Sequence, residues 1–529
     1  MRRDVLAVAS ALIDLGVKAG DHILLLSENR LEWLYCDLGI QAACAITVPI
    51  YANVTQEVAQ QIARDCEARL AIVSDQRESE KLPIEGRLQT VAFLDKDVSE
   101  WVARPPGQLA EISLRLANIR PDDVCTIVYT SGTTGEPKGA ELAHRNVVDI
   151  CRAIVKVHPL NEHDSTLSFL PYSHIYERIN VYAGLVFGGE AWISQGIDHL
   201  ATEIGEVQPT IMCSVPRVYE KMYAAVMAAV RDASPSRQAL FRWAVRVGTR
   251  YARESTRSPL LTGQHAIADR LVLAPLRRRL TGGRLRFFIS GGAALAREIE
   301  EFFWAIGVPI LNGWGMTETS SPVCSNTLNQ HRFLTVGKPL PGVELKIAGD
   351  GEILVKSPGN MLRYHNKPEA TAEILKDGWI YSGDIGELDA DGFLKITDRK
   401  KSLFKTAGGK YIAPVQLEFA LARDPLIMRS VAIGEGRPYV TALIVPDRDA
   451  ASKQGLDEAG LKAHIQKTVD DVNAHLGSWE TIKYFTLLPR DFTEEGGELS
   501  LKLDVKRKVV GQRYKDQIES MYTGKSKPS

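Results

Sequence analysis

Residues 124–139 read Val124-Cys125-Thr126-Ile127-Val128-Tyr129-Thr130-Ser131-Gly132-Thr133-Thr134-Gly135-Glu136-Pro137-Lys138-Gly139. The first six residues are apolar or β-branched and close on an aromatic, which is the composition of a buried strand. That strand runs straight into a loop of glycine, serine and threonine. Glycine lets the backbone turn tightly and bring its N–H groups toward anionic oxygens. Thr130, Ser131, Thr133 and Thr134 add hydroxyl donors, and Lys138 adds a positive charge. Together with Gly132 and Gly135 these are the parts needed to hold a polyphosphate. The usual P-loop is excluded, because Lys138 follows Pro137 and neither serine nor threonine follows the lysine. A shorter string of this kind would be read as a flexible surface loop; ten consecutive residues of this composition after a strand are far more specific.

Outward from this segment the chain alternates. The spacing predicts helices over 5–15, 31–43 and 58–66, and strands over 22–27, 46–50 and 70–74. Alternation of this kind gives a parallel sheet covered by helices. A second block covers 123–193. Residues 222–280 read as mostly helical and rich in arginine, and strands return at 286–290, 309–311, 343–347 and 352–356. Asp391-Gly392 reads as a hairpin turn. The charged run Asp398, Arg399, Lys400, Lys401 then separates a compact α+β pattern that ends near residue 515. A chain of 529 residues is too long for one core. The fold class expected is therefore α/β: a large body of several subdomains with helix-covered sheets over 1–398, and a small α+β domain over 399–529. The closing residues 524–529 read as a frayed tail.

Composition narrows the function. The hydrophobic fraction is 45%, the charged fraction 24% and the net charge −1. No nucleic-acid polymer is expected as a partner. The seven cysteines form no C-x-x-C pair and are odd in number, which predicts reduced thiols and a cytoplasmic protein. The longest uncharged stretch, 38–56, is broken by Gln41, Thr47, Pro49, Asn53 and Thr55, and reads as a buried helix and a strand. No export signal is legible at the N-terminus.

Further strings carry chemistry. In Asn312-Gly313-Trp314-Gly315-Met316-Thr317-Glu318, an aromatic between glycines can stack on a base. Glu318 offers a hard oxygen for Mg2+, and Thr317 a hydroxyl for a phosphate. Ser290-Gly291-Gly292-Ala293 reads as a tight strand-to-helix turn. Asp384, in Tyr381-Ser382-Gly383-Asp384, can accept both hydroxyls of a ribose. His174, in residues 170–178, has neither a metal-ligand partner nor a hydrolase triad in the sequence.

Tyr129 to Gly139 resembles the phosphate-binding signature of the adenylate-forming enzymes, which include acyl-CoA synthetases, luciferases and the adenylation domains of peptide synthetases. The other strings occur in the family's order and cover nearly the whole chain. The resemblance implies ATP, Mg2+ and coenzyme A as cofactor and co-substrates, and a fatty acid as partner. It implies that Thr130 to Gly135 and Lys138 hold phosphates, and that Glu318 binds the metal beside Thr317. Gly291, Gly292 and Ala293 wall the adenine and acyl pockets, while Asn312, Gly313, Trp314 and Gly315 lie against the nucleotide. Asp384 takes the ribose with help from Arg399, His174 positions the reacting acyl group, and Tyr219 stands where an aromatic gates the acyl entrance, with a buried structural tyrosine as the alternative. Lys401 is the hinge of a mobile C-terminal lid, and Gly408, Gly409 and Lys410 face the coenzyme A channel. The arginine-rich stretch 222–280 resembles long-chain and bubblegum-type synthetases; it could meet an anionic membrane surface or the phosphates of coenzyme A, or be a solvated helix face. Partners left open are such a peripheral membrane contact and a homodimer.

The chain departs from the family pattern twice. It begins inside what resembles the family's first helix, so the first part of a typical member is expected to be lacking. The late catalytic lysine falls on Lys502 after a two-residue slip, with Lys506 as the alternative. The expected reaction is ATP-dependent activation of a long-chain fatty acid to acyl-adenylate, then thioester formation on coenzyme A. Rival readings are an acyl-AMP ligase serving a carrier protein, a luciferase-type oxygenase, and a lipid- or nucleotide-binding relative with impaired catalysis.

Overall fold

The structure is a computed structural model that describes residues 1–131, 136–254, 256–400, 403–493, 496–499 and 505–523. The apolar runs form strands β1 (His22–Leu26), β2 (Ile46–Ile50), β3 (Leu70–Val73), β4 (Val91–Phe93), β5 (Val124–Ser131) and β6 (Pro137–Ala143). With the two-residue strand Arg363–Tyr364 they make one sheet, in the order Arg363–Tyr364, β6, β5, β2, β1, β3, β4. The pairs from β5 to β4 are parallel, while β5 and β6 form an antiparallel hairpin. Burial on both faces explains why β3 is buried at every position.

A second sheet uses β7 (Ser165–Ser168), β8 (Glu190–Ile193), β9 (Ile211–Ser214), β10 (Phe287–Ser290), β11 (Ile310–Met316), β12 (Ser321–Ser325) and β13 (Lys338–Pro339), in the order β13-β12-β11-β10-β9-β7-β8. One expectation is corrected here. The string Asn312 to Met316 does not follow a strand; it is the second half of β11, paired antiparallel with β12 and bulged between Trp314 and Gly315. Gly315 permits this pairing, because a Cβ there would stand 2.2 Å from the Ser321 carbonyl oxygen. The helical stretch after residue 215 resolves into Pro216–Arg231, Pro235–Arg253, Pro259–Ala268 and Ala274–Thr281. The first three open on proline at the first turn, where its missing N–H costs nothing. Among the described residues no helix is long and apolar enough to cross a membrane, and all seven cysteines are free thiols.

Contacts divide the chain into two units, one of Met1–Ala348, Leu354–Ser382 and Leu388–Lys395, the other of Gly349–Ile353, Gly383–Glu387 and Ile396–Ser529. The small unit is built on a three-stranded sheet of Ile427–Ile433, Val440–Pro446 and Ile482–Leu487. Leu417 and Leu421 of helix Pro414–Leu421 and Leu461, Ile465 and Val469 of helix Glu458–Asn473 pack into one core with it. Val510, Ile518 and Met521 pack into another with Val431 and Leu443.

The interior of the large unit holds an ion pair. Arg178, 1% exposed, meets Asp37, 0% exposed. Its Nε donates to Asp37 Oδ2 at 2.9 Å, its Nη2 donates to Oδ1, and its Nη1 donates to Thr126 Oγ1 at 2.7 Å. The Tyr182 hydroxyl also donates to Asp37, and Thr126 Oγ1 donates to the Thr47 carbonyl at 2.7 Å. The network ties helix Leu31–Ala42 and helix Ile175–Phe187 to β2 and β5. Arg178→Met would leave the Asp37 charge buried without its partner. That variant should lose about 3–5 kcal/mol in urea unfolding, and the double variant Asp37→Leu/Arg178→Met should recover much of the loss.

Candidate active site

The site grows from the β5–β6 hairpin. Thr130 faces Lys138 and Ser131 faces Pro137 across it. Gly132, Thr133, Thr134 and Gly135 lie outside the described residues. The Thr130 hydroxyl donates to the Lys138 carbonyl at 3.4 Å, and Lys367 reaches Glu136 at 3.3 Å. Lys138 Nζ stands 5.4 Å from the centre of the Tyr364 ring. Tyr364 in turn donates its hydroxyl to Glu318 Oε1 at 2.5 Å. The hairpin lysine and the acid of the Asn312–Glu318 string, 180 positions apart in sequence, therefore converge on one phenol.

Glu318 sits in a short turn, Thr317–Thr319, directly after β11. The Thr319 hydroxyl accepts from the Met316 N–H at 3.1 Å and closes that turn. Met361 N–H donates to the Glu318 carbonyl at 2.7 Å. Thr317 and Glu318 are 8% and 7% exposed. Among the described residues no group of three or more histidine, cysteine, aspartate or glutamate side chains gathers. A Mg2+ ion often takes only one or two carboxylates and leaves its other positions to phosphate oxygens and water. Glu318, a hard donor that shares Tyr364 with Lys138 of the β5–β6 hairpin, fits that mode and no all-protein cage. Trp314 is nearly buried.

The ends of β9 and β10 supply another wall, with Ser214 opposite Ser290. Gly292 takes φ +86°, which the turn into Ala293 requires. A Cβ on Gly291 would meet Tyr176 Cζ at 3.2 Å. The Tyr176 hydroxyl lies 3.2 Å from the Ile289 carbonyl and 3.3 Å from that of Ser214. His174 caps helix Ile175–Phe187, its Nδ1 accepting from the Tyr176 N–H at 3.1 Å. A neutral His174 in this pose carries its proton on Nε2. One turn on, burial pushes the Glu177 carboxyl up to about 7 even though Ser168 donates to it. Tyr219 is a core side chain here: 0% exposed, its hydroxyl on the Ile289 carbonyl at 3.0 Å, its ring edge-on to Phe288 and Phe303. As a gate its ring would have to leave that core.

Within the small unit, Arg399 Nε stands 3.4 Å from Asp384 Oδ1. Gly383 N–H donates to Glu352 Oε1 at 2.9 Å, and Lys400 Nζ binds Glu352 and Asp350 at 2.7 and 2.6 Å. Lys401 and Lys502 lie outside the described residues. Gly408, Gly409 and Lys410 form a turn closed by Thr406 N–H on the Lys410 carbonyl at 3.0 Å, with Lys410 Nζ 5.4 Å from the Trp479 ring. Lys506 N–H donates to the Glu498 carbonyl at 2.8 Å. Burial raises the Glu498 carboxyl, but the Arg490 and Arg513 guanidiniums outweigh it and hold the group at about 2.

Tyr364 carries no sequence signal of its own. Its role in the geometry comes from pairing of Arg363–Tyr364 with β6, where Tyr364 faces Ala140. Arg363 and His365, on the opposite face, both reach Glu141. The basic-aromatic-basic triplet Arg363-Tyr364-His365 is the hint that the sequence offers.

Residues 1–365 match the AMP-binding enzyme family, and residues 402–526 match the AMP-binding enzyme C-terminal domain. The chain is 36% identical to long-chain-fatty-acid–CoA ligase FadD15 of Mycobacterium bovis, over 98% of this chain and 90% of the relative. It is 31% identical to human long-chain-fatty-acid–CoA ligase 1, over 98% and 80%. Among solved structures, the anthranilate CoA ligase AuaEII in complex with anthranoyl-AMP superposes with a TM-score of 0.74 at 21% identity, over 98% and 92%. ATP-bound MatB from Rhodopseudomonas palustris superposes with 0.72 at 22%, over 97% and 93%.

The Glu498 ion pairs make a pH prediction. A carboxyl held near 2 against an ordinary 4.5 stabilises the fold fully above pH 4.5 and loses that contribution as pH falls toward 2. Glu498→Gln should therefore lower the melting temperature at neutral pH, and the gap from the parent should close between about pH 4.5 and pH 2. A gap that stays constant across that window would remove the ion-pair explanation.

Proposed function

The chain belongs to the AMP-binding enzyme family, and we propose from that premise that it converts a long-chain fatty acid to its coenzyme A thioester in two steps. In the first, the fatty carboxylate attacks the α-phosphorus of ATP, forming acyl-adenylate and releasing pyrophosphate. In the second, the thiol of coenzyme A attacks the acyl carbonyl, the thioester forms, and AMP leaves. The observation that carries this reading is the convergence of Lys138 and Glu318 on Tyr364, beside the hairpin that leads into the phosphate loop.

Residue roles follow from chemistry. Lys138 and the donors of Thr130 to Gly135 offset phosphate charge. A Mg2+ ion held by Glu318 would neutralise charge on the phosphate oxygens. Thr317 donates to a phosphate, and the Nε2–H of His174 orients the acyl oxygen. Gly291 to Ala293 and Asn312 to Gly315 bound the nucleotide and acyl pockets. Asp384 accepts the ribose hydroxyls, with Arg399 alongside. We take 1–398 as the adenylating domain and 399–529 as a lid that turns at Lys401, carrying Lys502 for the first step and Gly408 to Lys410 for the second. Tyr219 tunes acyl length through the core packing it anchors against Phe288 and Phe303. A peripheral membrane contact through the arginine-rich helices and a homodimer complete the reading.

Purified protein with ATP, Mg2+ and coenzyme A, offered a ladder of fatty acids, should release AMP most readily with long chains. Pyrophosphate exchange without thioester on adding coenzyme A would instead favour transfer to a carrier protein, and nucleotide binding without exchange would deny catalysis. Lys502→Ala should slow adenylation by about 100-fold or more, the scale for losing one preorganised donor. It should still turn pre-made acyl-adenylate plus coenzyme A into thioester. Lys506→Ala should leave adenylation largely intact; the reverse pattern moves the catalytic lysine to Lys506.

A further inference from the structure

Two charges that the proposed chemistry needs apart stand on either side of Tyr364. An ammonium and a carboxylate close to each other would pair, and each would then be lost to its ligand. Tyr364 prevents this with two different parts of one side chain. Its ring face takes the Lys138 ammonium at 5.4 Å, a cation–π distance. Its hydroxyl donates to Glu318 Oε1 at 2.5 Å. A carboxylate can only accept, so this bond fixes which oxygen is engaged and how the group is turned.

The phenol itself is held rigidly. Tyr364 is 6% exposed. Its backbone is paired with β6, its N–H donates to Thr371 Oγ1 at 2.9 Å, and Met361 three residues earlier holds the Glu318 carbonyl. Strand alternation sends Arg363 and His365 to the other face, where Glu141 takes both. No cation of this strand competes for Glu318.

We propose that Tyr364 is a positioning residue with two separable functions: its hydroxyl orients Glu318 for the divalent cation, and its ring spaces Lys138 from Glu318 and aims it at phosphate. The proposal rests on the reading of Glu318 and Lys138 given under Proposed function. Partners of this kind typically change metal affinity by about 10- to 100-fold when removed.

The test measures binding of a non-hydrolysable ATP analogue to the full chain by calorimetry, once in EDTA and once in Mg2+. The ratio of the two dissociation constants reports metal coupling without turnover. Tyr364→Phe keeps the ring and removes only the hydroxyl. It should bind the analogue normally in EDTA and lose about tenfold of the Mg2+ enhancement, with an unchanged melting temperature. Tyr364→Leu should weaken binding in EDTA as well, because Lys138 loses its support. Glu318→Gln is the reference. If Glu318→Gln loses the enhancement and Tyr364→Phe retains it, the positioning role is overturned while the metal reading stands. If Glu318→Gln keeps the full enhancement, the metal reading fails and takes the proposal with it. Equal weakening by Tyr364→Phe in EDTA and in Mg2+ would mark a merely structural tyrosine and also overturn the proposal.

Discussion

The large unit is organised around a charge that water cannot reach. Asp37 and Arg178 are both removed from solvent, and every polar atom of the guanidinium that meets them must find its partner inside the protein. The partners come from four elements: Asp37 from helix Leu31–Ala42, Tyr182 from Arg178's own helix, Thr126 from β5, and through Thr126 the Thr47 carbonyl of β2. Apolar packing alone tolerates sliding, but a forked guanidinium with fixed acceptors does not. The consequence reaches the site at both ends. Thr126 lies within β5 of the hairpin, four residues before Thr130, and Arg178 lies one turn after His174. A single buried ion pair thus fixes the relative placement of β5 and the N-terminus of helix Ile175–Phe187. Such a pair is weak evidence for net stability and better evidence for a unique arrangement.

The same economy recurs at the second sheet. β11 carries its glycine-tryptophan-glycine string as paired strand, so these residues are held by β12 rather than by loop contacts alone. Gly315 is obligatory there because backbone, not a flexible side chain, occupies the space a Cβ would need. Thr317 and Glu318 inherit their position from this strand through a three-residue turn, which leaves little freedom for the carboxylate before Tyr364 engages it.

Much of this was legible in the sequence, for identifiable reasons. The strand over 46–50 and the helix over 31–43 read correctly because a short apolar run and a 3.6-residue period have no good alternative. The expected strand at 309–311 was too short because glycine and asparagine lower strand propensity, and only the partner strand β12 overrides it. Lys138 and Glu318 were each recognisable from local chemistry. Their convergence on Tyr364 was not, since it depends on a two-residue strand, Arg363–Tyr364, whose own sequence specifies nothing until β6 pairs with it. Tyr219 shows the opposite case: its place in a motif is compatible with a gate or with a buried structural tyrosine, and its edge-on packing among Phe288 and Phe303 is a property of the folded core alone.

The division of the chain carries a lesson for recombination. The small unit is not one continuous C-terminal segment, because residues 349–353 and 383–387 belong to it. Lys400 is bound to Asp350 and Glu352, and Arg399 to Asp384, so its first charged residues are matched to acids supplied nearly fifty and fifteen positions earlier. Anyone splicing C-terminal segments between relatives at a single junction near residue 398 would separate those cations from the acids with which they were selected. Breakpoints that respect the fold come in sets, exchanging the two upstream segments along with the tail, and homologous shuffling within this family should favour crossovers that keep the sets together.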